Sequence, residues 1–252
     1  MRLSFKKLLS ELPWIFFLIW SSVGMVITGL NINAQKIEEW RASGLPDLFC
    51  NMGMASLYIG SLVFMAVASI IIFQVLSKRH TLRRVTMAFI LIAIVSGVVE
   101  AVGTLTGYPF GQYHYTDAMG PQLLGVLPLA IPLAWWIVVA GLLVIFQQIF
   151  PQMTRAGIYL CTAAGATSLD AVMEPYAWKV TGYWLWEGSH VPLQNYFGWF
   201  ILSFLLAMTS QLGFVEQPAS GSAPADRDWR PLIILGIMMT QFVLGRAVTG
   251  NL

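Results

Sequence analysis

Three acidic residues, Glu100, Asp170 and Glu174, stand inside runs that are otherwise apolar enough to lie in a lipid bilayer. A carboxylate near the bilayer centre costs about 2.5 to 3.5 kcal/mol, so three cost on the order of 8 to 10 kcal/mol, comparable with the stability of a whole domain. Function is the usual reason such a cost persists. The one basic residue deep in an apolar run is Arg246, in the stretch Leu244, Gly245, Arg246, Ala247. A single guanidinium neutralises one carboxylate, so at least one of the three is expected to be a neutral carboxylic acid. A neutral acid held in an apolar site can give up a proton to a substrate, which is the chemistry these residues suggest.

The elements that must position these residues follow from composition. The chain has 252 residues, 57% hydrophobic and 10% charged, with a mean hydropathy of +0.71, which no single soluble core could bury. The expected fold is an all-α polytopic membrane bundle, one transmembrane domain over residues 1–252. Seven stretches are long enough to cross a core about 30 Å thick, near 13–32, 54–77, 85–106, 123–150, 156–179, 193–214 and 231–249. The first is too long for a signal-peptide core and is read as a retained helix. With the N-terminus cytoplasmic, ten basic residues (Arg2, Lys6, Lys7, Lys78, Arg79, Arg83, Arg84, Arg155, Arg227, Arg230) fall inside and four (Lys36, Arg41, Lys179, Arg246) outside. That is the asymmetry expected of a cell-membrane, inner-membrane protein. A net charge of +2 gives no reason to expect nucleic acid. Residues 216–230, rich in Pro, Ser, Gly and Ala, read as a flexible cytoplasmic loop. Cys50 and Cys161 fall at different depths and are not expected to pair. No spacing suggests a metal site, a phosphate loop or another cofactor site.

In this orientation Glu100, Asp170, Glu174 and Arg246 all fall in the outer half of the bundle. Asp170 and Glu174 are four residues apart and share a helix face with Ala163 and Thr167. Gly157, Cys161 and Gly165 form a separate stripe suited to close helix packing. Around Glu100, Ser96, Gly97, Gly103 and Thr104 are small or polar and are expected to leave room for a ligand. Pro175, and Pro128 with Pro132, are expected to interrupt their helices. Two aromatic outer loops, residues 107–117 (Gly-Tyr-Pro-Phe-Gly-Gln-Tyr-His-Tyr-Thr-Asp) and 182–190 (Gly-Tyr-Trp-Leu-Trp-Glu-Gly-Ser-His), follow the acids. The order acid, Thr-Gly-Tyr, aromatic loop and Pro occurs after both Glu100 and Glu174, a faint internal repeat. On composition alone Tyr108, Tyr113, Tyr115, Trp184 and Trp186 read equally as an interfacial belt or a binding surface. His114, His190, Asp117 and Glu187 have ordinary loop readings available, and His80 belongs to the basic run 78–84.

The segment Thr104–Pro121, continuing through Gly125–Pro128 and Ile131–Trp135, resembles the integral-membrane carotenoid hydratases, a family of carotenoid biosynthesis proteins. That family includes carotenoid 1',2'-hydratases and bisanhydrobacterioruberin hydratases. A second matching block runs through Leu169–Pro175, Gly182–Trp186, Val191–Asn195 and Gly198–Trp199. Together the blocks cover residues 85–200, and beyond them the chain is similar only in being hydrophobic. Ser189 and His190 depart from the family pattern before Val191. The resemblance implies cofactor-independent addition of water to the terminal double bond of an acyclic carotenoid, of the lycopene, gamma-carotene or bacterioruberin-precursor type, to give a tertiary alcohol. For that chemistry the expected acid is Asp170 or Glu174, since two like carboxylates four residues apart discourage double ionisation; Glu100 is expected to orient and deprotonate water, and Arg246, outside the matching blocks, to keep one carboxylate ionised. Tyr108, Tyr113, His114, Tyr115, Asp117, Trp184, Trp186, Asn195 and Trp199 are then the candidate substrate-binding residues, with membrane lipid and other enzymes of the carotenoid pathway as partners.

Two other classes fit parts of the pattern. A non-catalytic carotenoid- or lipid-binding scaffold explains the aromatics but gives no reason for three acids. A proton-coupled transporter needs ionisable groups reachable from both faces, and the inner halves of the third and fifth stretches carry almost none. A retinal protein is disfavoured because the last stretch has no Lys.

Overall fold

The computed structural model describes residues 5–210, 212 and 227–250. It is an all-α membrane bundle. The described residues form eight α-helices: α1 (Phe5–Gly29), α2 (Ala34–Ala42), α3 (Asp47–Ser77), α4 (Leu82–Thr106), α5 (Ala130–Ile149), α6 (Arg155–Lys179), α7 (Leu193–Thr209) and α8 (Arg230–Thr249). Four short strands, β1 (Tyr113–Tyr115), β2 (Gln122–Leu123), β3 (Leu127–Pro128) and β4 (Trp184–Trp186), lie in the connections. Among the described residues, six helices are long and apolar enough to cross a membrane; α7 is also apolar, with 17 residues. The multi-pass character follows from this count.

Residues 85–106, 156–179 and 231–249 lie within helices of nearly those lengths, and the other boundaries differ for local reasons. The second stretch begins at Asp47 rather than 54, directly after Pro46. Before it stands α2, which the hydropathy pattern passes over because Gln35, Lys36, Glu38, Glu39 and Arg41 make it polar; Ile37 is its buried residue. The Asn33 side chain caps α2 by accepting from the Lys36 backbone N–H at 3.0 Å, the usual way an orphan N-terminal donor is satisfied. In the fourth stretch residues 123–129 are not helical: β2 pairs antiparallel with β3, Gln122 opposite Pro128 and Leu123 opposite Leu127. Helix α5 therefore starts at Ala130, which puts Pro128 before the helix and Pro132 in its first turn, where a missing N–H costs no intrahelical bond. The expected interruption at these two prolines does not occur. Nor does Pro175 interrupt its helix: it lies inside α6, which continues to Lys179. Of the expected loop at 216–230, residues 216–226 lie outside the described residues.

Helix α5 is the axis of the bundle. It packs against α3, α4, α6, α7 and α8, and every residue from Trp135 to Ile145 is buried, as a helix apolar on all faces must be. Helix α1 lies at the periphery against α3 and α8, with most of its surface exposed. Of the expected small-residue stripe, Gly165 serves helix packing, since Leu142 and Phe146 of α5 come to within 3.3 and 3.2 Å of where its side chain would begin. Gly157 instead accommodates Met153 from the preceding turn. Cys50 and Cys161 are both free thiols.

A polar cluster locks the opposite end of the bundle from the aromatic loops. Lys78 Nζ lies 3.3 Å from Asp228 Oδ2, and Arg230 closes on the same carboxylate. Arg79 donates to Gln148 Oε1 at 2.7 Å, while Gln148 Nε2 donates to the Asp228 carbonyl at 3.1 Å. Burial by itself would raise the Asp228 carboxyl, but the hydrogen bonds and charge of Arg230, with Lys78, bring it down to about 2. The ends of α3, α5 and α8 are tied together there, at the basic end expected to face the cytoplasm.

Candidate functional site

The two aromatic loops meet. Strand β1 pairs antiparallel with β4 in the register Tyr113 with Trp186, His114 with Leu185 and Tyr115 with Trp184. Because successive strand residues point to opposite faces, Tyr113, Tyr115, Trp184 and Trp186 share one face, while His114 and Leu185 turn outward and are exposed. The Tyr113 and Trp186 rings lie 5.2 Å apart, and Tyr115 meets Trp184 edge-on at 6.1 Å.

That face closes over the acids. Tyr113 and Tyr115 both donate their hydroxyls to Glu100 Oε2, at 2.5 and 2.8 Å, and Trp135 donates its indole N–H to Glu100 Oε1 at 2.8 Å. Trp184 and Trp186 donate indole N–H groups to Glu174 Oε2 at 3.2 and 2.9 Å. Each glutamate is thus held by the strand that follows its own helix. Asn195, from α7, joins the remaining acid to this arrangement: its Nδ2 donates to Asp170 Oδ2 at 2.7 Å and to Glu174 Oε1 at 3.3 Å. Trp135 stacks on Trp199 with centroids 4.2 Å apart, so α5 and α7 share a flat aromatic wall beside the carboxyls. Burial first, and the neighbouring Glu100 second, raises the Tyr113 and Tyr115 phenols well above the usual range. Both therefore stay protonated and serve as donors.

Gly103 is what lets Tyr113 reach its partner. A side chain there would begin 3.0 Å from the Phe110 ring and 3.1 Å from the Tyr113 hydroxyl. At Gly97 the neighbours are Leu127 and Pro132. The space at Gly97 and Gly103 is thus taken by protein side chains, and the room beside Glu100 is the end of a cavity bordered by other residues. Phe110 is seated between Gly103 and Gly198, 2.8 Å from where a side chain at the latter would begin. At Gly111, with φ of 116°, a side chain would begin 2.4 Å from Pro192, so a glycine is required for the β1 loop to lie on the start of α7.

The open space lies elsewhere. A cavity of about 530 Å³ extends from Glu100, Asp170 and Glu174 between α1, α3, α6 and α8 as far as Asn31 and Asn33. Its length is lined by apolar side chains such as Trp20, Phe64, Met65, Met173, Met238 and Phe242, and the acids, Asn195 and the rings of Tyr113, Tyr115, Trp184, Trp186, Trp135 and Trp199 also border it. Among the described residues, no three His, Cys, Asp or Glu side chains are grouped so as to hold a metal ion.

Other expected site residues are placed differently. Tyr108, His114 and Asp117 are exposed and do not border the cavity. Arg246, half-buried on α8, is not joined by hydrogen bond or ion pair to Glu100, Asp170 or Glu174, whose partners among the described residues are neutral donors. Its neighbour Gly245 is the residue that faces inward there, with the Tyr176 ring packed on its backbone. Phenol, indole and amide groups of this kind can stabilise a carboxylate without bringing a second charge into the bilayer.

Residues 58–251 match the family model for carotenoid biosynthesis proteins. The chain belongs to that family. Over 137 residues it is 31% identical to bisanhydrobacterioruberin hydratase of Haloarcula japonica, an overlap covering 52% of this chain and 46% of that protein. The chain thus spans about half the length of the curated relative it matches. No solved structure matches it. The family match extends beyond residues 85–200 on both sides, taking in much of α3 and all of α8. Trp135, placed only within a motif by the sequence, emerges in this carotenoid biosynthesis protein as a direct partner of an acid. The available signal was an indole N–H in a helix with apolar neighbours on every side, which must find a buried acceptor. A second pairing the sequence did not disclose is Ser61 with Tyr183, whose hydroxyls lie 2.7 Å apart and tie α3 to the loop before β4.

Proposed function

We propose that this protein is a carotenoid hydratase, adding water without a cofactor to the terminal C=C of an acyclic carotenoid end group to give a tertiary alcohol. The observation that carries the reading is the co-location of three buried acids with an aromatic face at one end of an apolar cavity. A polyene end group is apolar and enters such a cavity without losing hydrogen bonds. Protonation of a trisubstituted alkene needs a desolvated acid, which the pair Asp170 and Glu174 supplies. The proton goes to the less substituted carbon and leaves a tertiary cation on the other. The π faces of Tyr113, Tyr115, Trp184 and Trp186 are suited to stabilise that cation. Water then forms the C–O bond and gives its proton to a carboxylate, the role assigned to Glu100. The Haloarcula japonica relative is named for hydration of a carotenoid, which supports the reaction class.

The test uses the purified protein with lycopene in detergent, without oxygen and with chelator present, in water labelled with heavy oxygen. A product heavier by one labelled water is expected. An oxygen atom derived from dioxygen, or pigment that binds and is recovered unchanged, refutes the hydratase reading; the second result favours a non-catalytic carotenoid-binding scaffold.

A further inference from the structure

The three carboxyl groups are not equivalent in what surrounds them. Glu100 receives three donors, two hydroxyls on Oε2 and one indole N–H on Oε1. Glu174 also receives three, two indole N–H groups on Oε2 and one amide N–H on Oε1. An indole N–H can only donate, so the oxygens facing Trp135, Trp184 and Trp186 must present lone pairs. Asp170 receives one donor, Asn195 on Oδ2, and its Oδ1 has no hydrogen-bond partner among the described residues although it is buried. Asp170 is also the most enclosed of the three, with 0% exposure, and it borders the cavity.

Buried acceptors without donors are costly, and more so when charged. Glu100 and Glu174 are each solvated as anions by a shell of neutral donors. Asp170 as an anion would leave one oxygen bare, one helical turn from Glu174. Placing a proton on Oδ1 removes both problems: the group becomes neutral and Oδ2 still accepts from Asn195, while an alkene brought against the O–H offers no acceptor to hold the proton.

We infer that Asp170 is the proton donor of the site and Oδ1 the donating atom, an assignment that rests on the hydratase reading and selects one acid of the Asp170 and Glu174 pair. The Oδ1–H bond breaks as the new C–H bond forms at the less substituted alkene carbon, with the electron pair of the π bond making that bond. Water closes the C–O bond at the tertiary cation and its proton passes to Glu100 Oε1, which among the described residues accepts only from Trp135. The proton lost by Asp170 equals the one gained by Glu100, so its return through the cluster restores the starting state with no oxidant, reductant or other reactant.

Two measurements on the full chain test this. In the first, hydration of lycopene is compared for the parent, Asp170→Asn and Glu174→Gln, with retained pigment binding as the control for folding. Asp170→Asn is expected to lose about 100- to 10,000-fold in rate, the range of general acid catalysis, while Glu174→Gln keeps at least ten times more activity than Asp170→Asn. In the second, the infrared stretch of a protonated carboxyl, identified by its shift in heavy water, is followed in the same proteins without substrate. It is expected in the parent and in Glu174→Gln and absent in Asp170→Asn. A band that survives in Asp170→Asn, or an Asp170→Asn rate within tenfold of the parent, overturns the assignment and leaves the hydratase reading standing. A parent that makes no hydrated product overturns that reading, while the infrared arm still decides which carboxyl holds the proton.

Discussion

Replacing Tyr113 by Phe removes one oxygen atom from the proposed water-activating end of the site. The lost hydroxyl is the one 2.5 Å from Glu100 Oε2, whereas the ring, with its centroid 5.2 Å from that of Trp186, keeps its place in the aromatic face. A hydrogen bond to a charged group contributes about 1.5 to 3 kcal/mol. Tyr115 still donates to the same oxygen at 2.8 Å, which argues for the lower end, about 1.5 kcal/mol, or roughly a tenfold fall in hydration rate. The double variant Tyr113→Phe/Tyr115→Phe strips Oε2 of both donors and leaves Trp135 on Oε1 alone. Its expected cost is about 4 kcal/mol, or roughly 1,000-fold, more than two single effects of about 1.5 kcal/mol each, because the second loss leaves a buried acceptor bare. Initial rates of lycopene hydration, with pigment binding and thermal unfolding measured alongside, separate this from a folding defect. A double variant that folds, binds pigment and turns over within twofold of the parent would refute the claim that Glu100 needs its phenol donors, and with it the role of Glu100 in activating water.

Two further outcomes concern the scaffold. Asp228→Asn removes the carboxylate that joins Lys78 and Arg230 and is expected to destabilise the protein by about 2 kcal/mol at neutral pH, read as a lower thermal unfolding midpoint in detergent. The folded-state value of Asp228 is depressed, so the parent keeps this contribution above the unfolded value of about 4 and loses it as pH falls towards about 2; parent and variant should therefore converge across that window, and a difference that stays constant there would show the charge is not responsible. Gly245→Ala places a methyl group 2.2 Å from the Tyr176 ring; overpacking of this kind costs about 1 to 3 kcal/mol, so the unfolding midpoint should fall, and an unchanged midpoint would mean that the contact between α6 and α8 is looser than described.

What the sequence determines by itself is the part governed by local pattern. Apolar runs longer than a bilayer crossing specify a multi-pass helical bundle, and acids within those runs mark a site, because hydropathy and intramembrane charge depend on nothing distant. The spacing of Asp170 and Glu174 already places both on one face of α6. Tertiary structure decides the rest. The pairing of β1 with β4 joins residues about 70 positions apart and turns two aromatic loops, each readable as an interfacial belt, into one face that donates to Glu100 and Glu174. It also assigns the space near Glu100: Gly103 is small for the sake of Phe110 and Tyr113, and the cavity opens between α1, α3, α6 and α8 instead. A carboxylate can be solvated by a guanidinium or by several neutral N–H and O–H groups, and the choice depends on which side chains the packing brings within 3 Å. That is why the contacts of Trp135, Tyr113, Tyr115 and Asn195 with the acids become visible only in three dimensions.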